Sequence, residues 1–457
     1  MNEQTDISIK SDTHINTEVD SESNKSDPYI SKKKLIYCCF IFLALFNNLG
    51  YVLIVTSSQQ FANKLDDDKL IAFYPLALII LNSISVFINS KFCITVSYFK
   101  RALGLSCYFF FGYFFLFIAL TIIDNSKNFN KKSAFLLTLI PAVIMGTGEE
   151  FGEATFVGYT RTFPGEYVSG WSSGTGFAGV VGASLSLLFK LINEKYDLKY
   201  LYLIISPITI LYFFSFYTTF RIKKSIDEKN KLAAENTEKY NVEVKVITKP
   251  NYTDLSESQN DSIQSKEKLT STDVSKNKKI SIKNFPIVFR YGKRYILNLF
   301  CIYYLGYTVC YGFCERANLF GRIDSKGMFF EKAQYETFLL SFQMGIFISR
   351  SSLFIFKHLT FIELLNILQT FNFFFWLFEA KFGITTNQWI CFLFLFLLGI
   401  CGGGVYLACY YSILKNNKIP PEYKELCINI CNIFVDAAIL LSSITCIILD
   451  NTYMKKK

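Results

Sequence analysis

Apolar runs of about 20 residues recur along this chain, separated by short connectors that hold most of the charge. A helix of that length crosses a hydrocarbon core of roughly 30 Å. Inside lipid a segment must pair its own backbone groups, which makes each run a helix. The runs fall near 35–57, 71–98, 103–123, 133–157, 168–193 and 198–220. After a polar interruption they resume near 294–315, 333–354, 359–380, 387–414 and 426–449. The pattern predicts an all-α membrane protein of about eleven transmembrane helices, with an N-terminal bundle over 35–220 and a C-terminal bundle over 294–450. Residues 1–34 read as a disordered cytosolic tail, 221–293 as a flexible basic cytosolic linker and 451–457 as a basic tail.

Two helical bundles joined by a cytosolic linker is the layout of major-facilitator carriers, although other two-halved carriers share it. Composition agrees with a membrane protein. Only 18% of residues are charged, against about a quarter in soluble domains. The net charge of +10 comes mostly from the stretch between Arg221 and Arg294. The positive-inside rule places such a stretch on a cytosolic face. No nucleic-acid-binding motif accompanies it, so no nucleic-acid partner is expected. Trafficking proteins are candidate partners for the linker.

An alternating path from a cytosolic N-terminus puts Lys100, Arg101, Arg161, Arg350 to Lys357 and Lys415 to Lys424 on the cytosolic side. Asp66, Asp67 and Asp68 fall outside or in a lumen. Eleven crossings would leave Lys455, Lys456 and Lys457 on the lumenal side, against the rule. The sequons at Asn24, Asn251 and Asn260 lie in cytosolic segments and read as chance matches. The first apolar run follows Lys32-Lys33-Lys34 and reads as its own signal anchor rather than a cleaved leader. The 13 cysteines lie mostly in apolar runs, and there are two histidines, so neither a metal site nor a cofactor is expected.

Polar residues inside the runs are the candidate functional groups. Glu149, Glu150 and Glu153 lie near the end of the fourth run, with Glu149 and Glu153 one turn apart on the same face. An acid in a span costs roughly 2.5–3.5 kcal/mol on insertion scales, so it faces a cavity or a partner. Proton coupling is the functional reading for Glu153 and Glu150; the alternative is that the helix ends early and the acids meet headgroup water. Asp436, well inside the last run, takes the same reading. Arg350 follows Gln343 by seven residues and shares its helix face. Its guanidinium suits a phosphate or carboxylate, the alternative being a headgroup anchor. Asn47, Asn48 and Tyr51 in the first run are candidates for solute contact, or for pairing with a neighbouring helix.

Gly170, Gly174, Ala178 and Gly182 recur every four residues, a small-residue face that lets two helices approach closely, as rocking halves would need. Gly402, Gly403 and Gly404 read as a packing or hinge site. Gly170-Trp171-Ser172-Ser173-Gly174 matches the G-x-S-x-G pattern of serine hydrolases, but no strand precedes it. The histidines are His14 and His358, neither placed as a partner, so enzyme activity is not expected.

Several segments together resemble the battenin family of lysosomal membrane proteins. They are Asn47-Asn48 with Tyr51-Val52, Gly152-Glu153 with Thr155-Phe156, and Trp171 to Gly176 with Ala178-Gly179. In the second half they are Gly345, Phe347 and Ser349 to Leu353, then Gly402-Gly403 with Tyr406, and Asp436. Their order holds along the whole chain outside the tail and linker. The resemblance implies a major-facilitator-like fold in a lysosomal, vacuolar or late-endosomal membrane. It also implies export of small anionic glycerophosphodiesters and an effect on lumenal pH. Basic amino acid transport, vacuolar pH homeostasis or a non-transporting trafficking scaffold are the alternatives. By position Glu153, Arg350 and Asp436 match residues that matter in the family. Two departures stand out. This chain has Gly306 where the family's seventh span carries an acid, and it ends in Lys457 with no prenylation box.

Overall fold

The structure is a computed structural model, which describes residues 29–452 except 66–69, 94, 126–129, 161, 165–166, 193–196, 248–284, 320–332, 357–360 and 386. Asp66 to Asp68, Arg161, Lys357, both histidines, the three sequons and the three C-terminal lysines lie outside the described residues.

In chain order the helices of the first half are α1 (Lys33–Thr56), α2 (Ser58–Lys64), α3 (Phe73–Ile79), α4 (Asn82–Lys91), α5 (Tyr98–Asn125), α6 (Lys131–Thr160), α7 (Tyr167–Leu191) and α8 (Lys199–Ile247). Those of the second half are α9 (Phe285–Thr308), α10 (Cys314–Leu319), α11 (Gln334–Ser351), α12 (Leu353–Phe356), α13 (Glu363–Phe382), α14 (Gln388–Lys415) and α15 (Pro421–Asn451). A π-helical turn, Val309–Phe313, joins α9 to α10. Among the described residues, 8 helices are long and apolar enough to cross a membrane. The other three apolar runs become α11, α13 and the broken pair α3–α4.

The second run breaks where α6 presses against it. A Cβ at Gly146 of α6 would collide with the carbonyl of Leu78, so only glycine lets the two backbones come this close. The break turns Asn82 inward as the first residue of α4. The polar stretch after Phe220 does not begin as flexible chain: α8 runs on to Ile247. Lys223–Asp227 at 3.2 Å and Lys224–Glu228 and Lys231–Glu235 at 3.9 Å stitch this extension one turn apart, the spacing at which opposite charges support a helix.

In the first half α1 lies along α7 and α8, and α5 along α6 and α8; in the second, α11 packs on α14 and α9 on α15. Aromatic rings fill the first bundle. Phe156 meets Trp171, Tyr212 and Phe216 at centroid distances of 6.0, 5.6 and 5.7 Å. The outer faces remain apolar, with Phe111, Phe115, Ile210 and Phe214 all exposed, as helices bathed in lipid require. At the end of the bundle opposite the start of α1, Lys64 bonds Asp124 at 2.6 Å and Asp197 at 2.7 Å, and Lys199 bonds Asp124 at 2.7 Å. The two halves meet along α7 with α11, and along α3 and α4 with α15.

Candidate functional site

A cavity of about 110 Å³ lies between the halves, lined by residues of α1, α3, α4, α6 and α7 on one side and of α9, α11, α14 and α15 on the other. A second cavity of about 80 Å³ shares Glu153, Tyr406, Tyr410 and Asn432 with it. It reaches Thr160, Val168 and Leu414 near the ends of α6, α7 and α14, toward the end of the bundle where α1 begins.

Arg350 is the only cation lining the central cavity among the described residues. It reaches the cavity because α7 and α11 approach closely: a Cβ at Gly176 would come within 2.9 Å of the Phe347 backbone and 3.5 Å of the Arg350 side chain. Its Nη1 donates to Thr175 Oγ1 across the halves at 2.8 Å, and Nη2 donates to Tyr303 Oη at 3.1 Å. The Tyr406 ring covers the guanidinium at 4.1 Å, a cation–π contact. Nε is buried without a partner. Among the described residues the guanidinium forms no ion pair, so its charge is met by hydroxyls and a ring rather than by a carboxylate.

The acids line the same cavity. Glu153 accepts a hydrogen bond from Tyr406 Oη at 3.3 Å, so one tyrosine touches both the guanidinium and a carboxylate. Asp436 Oδ1 accepts from Asn82 Nδ2 at 3.4 Å, joining α15 to α4 across the halves. Glu149 and Glu150 are also buried along the wall. Buried oxygens without a hydrogen-bond partner include Glu150 Oε1, Asp436 Oδ2 and Asn82 Oδ1. Tyr406 thus links Arg350 to Glu153, and the Asn82 amide ties α4 to Asp436 on the same cavity wall.

The other sequence candidates divide. Gln343, Asn48 and Tyr51 line the cavity, and Tyr51 Oη meets Tyr311 Oη at 3.3 Å within the π-helical turn. Asn47 does not line it. Its Nδ2 donates to the Glu149 carbonyl at 2.9 Å and its Oδ1 accepts from Tyr212 at 3.1 Å, so it braces α1 against α6 and α8. Gly170, Gly174 and Gly182 face Tyr37, Ile41 and Val52 of α1, so this stripe closes a seam inside one bundle. The next face of α7, with Gly176 and Gly179 against Phe347 and Gln343, meets the other half. Ala178 is buried. A Cβ on Gly403 would collide with Ser349 Oγ and one on Gly404 with Phe356, whereas Gly402 has open space before it. Gly306 faces the Gln369 amide of α13 and is not among the residues that line the cavity. Asn82, Tyr303, Tyr307, Tyr410 and Asn432 line the cavity, and sequence reasoning does not single them out as site residues. The usable signal for Asn82 is an amide deep within an apolar run.

The family model described as CLN3 protein matches residues 38–455. A protein named Battenin from Dictyostelium discoideum is 26% identical over 425 residues, 91% of this chain and 94% of its own length. Protein BTN1 of Candida glabrata is 25% identical over 395 residues, 84% of this chain and 88% of its own. Among solved structures, a POT family transporter in complex with a thioalcohol-conjugated peptide superposes with a TM-score of 0.55 at 10% identity, covering 92% of this chain and 91% of that one. That likeness establishes the major-facilitator-like fold.

Proposed function

The chain belongs to the CLN3 protein family, and from that premise and the cavity between the halves we propose that it is a solute carrier of a lysosomal or vacuolar membrane. The solute is a small phosphodiester of the glycerophosphodiester class, exported toward the cytosol, with an effect on lumenal pH. One observation carries this reading: Arg350, in the last turn of α11, is held in a buried cavity between two bundles without a carboxylate partner among the described residues. A cation so placed is costly unless it meets an anion, and its fork suits a phosphate.

Gln343, Asn48 and Tyr51 line the path around that anion. Glu153, bonded to Tyr406 beside Arg350, is placed to exchange a proton as the solute arrives. Loss of that proton returns a negative charge next to the guanidinium and competes with the bound anion. Acid on the lumenal side therefore favours loading there. The halves carry the site from one side to the other by moving along α7–α11 and α4–α15. The cavity's continuation toward the start of α1 gives the release side, cytosolic by the positive-inside rule.

The test is flux of a labelled glycerophosphodiester into proteoliposomes holding the full chain. Arg350→Ala is expected to reduce flux at least tenfold while detergent-purified protein keeps its melting temperature within a few degrees. Unchanged flux in that variant would refute the assignment.

A further inference from the structure

We propose that Glu336 is a proton-operated latch at the lumenal end of the seam between the halves: with its proton on, the carboxyl lets that end close, and once ionised it draws in water and parts it. The use of the latch, and its place on the lumenal side, rest on the carrier reading.

The first observation is position. Glu336, Gln343 and Arg350 follow one another at intervals of seven on α11, so they share one face of the helix. Along that face α7 and α11 run antiparallel. Gly176 and Phe177 meet Phe347, the two rings 5.5 Å apart, and Gly179 meets Gln343. The same register carried on by seven residues along each helix brings Ser186 level with Glu336. Glu336 therefore sits about 10 Å along α11 from Gln343, on the side away from Arg350 and toward the end of the bundle opposite the start of α1. At this end the seam is packed shut, with Glu336 and Ser186 both 0% exposed, whereas the cavities continue toward the other end.

The second observation is that this acid is shut in without a partner. Among the described residues neither of its carboxylate oxygens makes a hydrogen bond. The Gln60 amide of α2 is committed to the Ser186 carbonyl and hydroxyl at 3.3 and 3.2 Å. Of the helices packed on α11, α7 brings Lys190, half-buried in its last turn, and α10 brings Arg316, which has contacts of its own. Helix α12 has no charged residue, and that of α14, Lys415, lies at the far end. The thiols Cys314 of α10 and Cys391 of α14 are buried in the core. A carboxyl deprived of water and of partners keeps its proton, because burying the bare charge is costly. The closed seam suits the neutral acid alone. Once ionised, the group needs water. Its place in the first turn of α11, where a helix end carries partial positive charge, and the nearby Lys190 favour that state when the seam parts. Acid thus closes the lumenal end behind a loaded solute, and neutral pH opens it.

The experiment places nitroxide labels at Leu188→Cys in α7 and Ile384→Cys just past α13, both exposed positions at the lumenal end. The full chain sits in lipid nanodiscs, with the exposed native thiols removed as Cys38→Ser, Cys107→Ser and Cys301→Ser. The label-to-label distance is read by pulsed electron paramagnetic resonance. In this background it is expected to lengthen by about 5 Å or more between about pH 5 and about pH 7.5, the size of step by which packed elements slide past one another. Glu336→Gln keeps the shape and cannot ionise, so it is expected to hold the shorter distance at both pH values. Glu336→Asp is expected to restore the response. Glu336→Met, apolar and of like length, makes the same test if Glu336→Gln does not elute as a monodisperse peak. A shift as large in Glu336→Gln as in the background, or no shift in the background, overturns the latch. A shift lost in Glu336→Gln, in a background protein that carries no glycerophosphodiester into proteoliposomes, supports the latch and overturns the carrier reading.

Discussion

Tyr406 joins two charges that never touch each other through a direct ion pair. Its ring lies 4.1 Å from the Arg350 guanidinium, and its hydroxyl donates to Glu153 at 3.3 Å. A change in the charge of Glu153 alters that hydrogen bond, and with it the surface on which the guanidinium rests. Tyr406→Phe keeps the ring and removes the hydroxyl. A hydrogen bond to a charged group contributes about 1.5–3 kcal/mol, so the loss is large enough to read as function. The expected result is a several-fold drop in the stimulation of flux by an imposed pH gradient, with KM for the solute changed less than twofold. An undiminished gradient response would remove Tyr406 from the coupling. Arg294 and Glu363 show the contrasting case. They form a two-pronged pair at 2.7 and 2.8 Å between α9 and α13, about half exposed and not among the residues that line the cavity.

At the scale of helices, glycine decides where backbones meet. A Cβ on Gly174 would run into the Ile41 carbonyl and come within 2.7 Å of Ala44. The backbone cannot swing aside without opening the α1–α7 seam. Gly174→Leu is therefore expected to destabilise the first bundle by about 3 kcal/mol or more, seen as aggregation on size-exclusion chromatography or a fall in melting temperature of several degrees. Gly402→Ala, with no atom within 4 Å of the added carbon, is expected to leave the melting temperature unchanged. A tolerant Gly174 with a sensitive Gly402 would mean the α1–α7 seam is not as close as described. The broken second span obeys the same rule, since Gly146 admits the Leu78 carbonyl and the resulting bend delivers Asn82 to Asp436.

For the whole molecule, the contacts between halves follow two lines, α7 with α11 and α3–α4 with α15. Both pass the cavity, so a movement that opens one end of the bundle must rearrange the contacts of Arg350 and Asp436 together. Thr175 to Arg350 and Asn82 to Asp436 each cross from one half to the other. The bonds that tie the halves together are made by residues of the candidate site. Among the described residues, none that lines the cavity comes from the connection between the halves. Replacing residues 250–280 with a Gly/Ser chain of equal length is expected to keep flux within twofold. A carrier driven by its two bundles retains transport in that variant, whereas a scaffold acting through its linker loses its partners, as pull-down from membranes would show.

The place of the apolar runs and the all-helical membrane architecture of the described residues are legible in the sequence. Hydrophobic length is a local property, and lipid leaves the backbone no choice but a helix. The cost of charge in a span likewise marks Glu150, Glu153, Arg350 and Asp436 from residue type and position along the chain. What periodicity cannot supply is which polar groups meet. Asn47 and Asn48 are neighbours in sequence, yet one braces α6 and α8 and the other lines the cavity. The stripe Gly170, Gly174 and Gly182 and the offset pair Gly176 and Gly179 share one helix, yet they serve different seams. Only the packing of α7 between α1 and α11 separates them, because a helix presents several faces and its sequence does not say which neighbour each one meets.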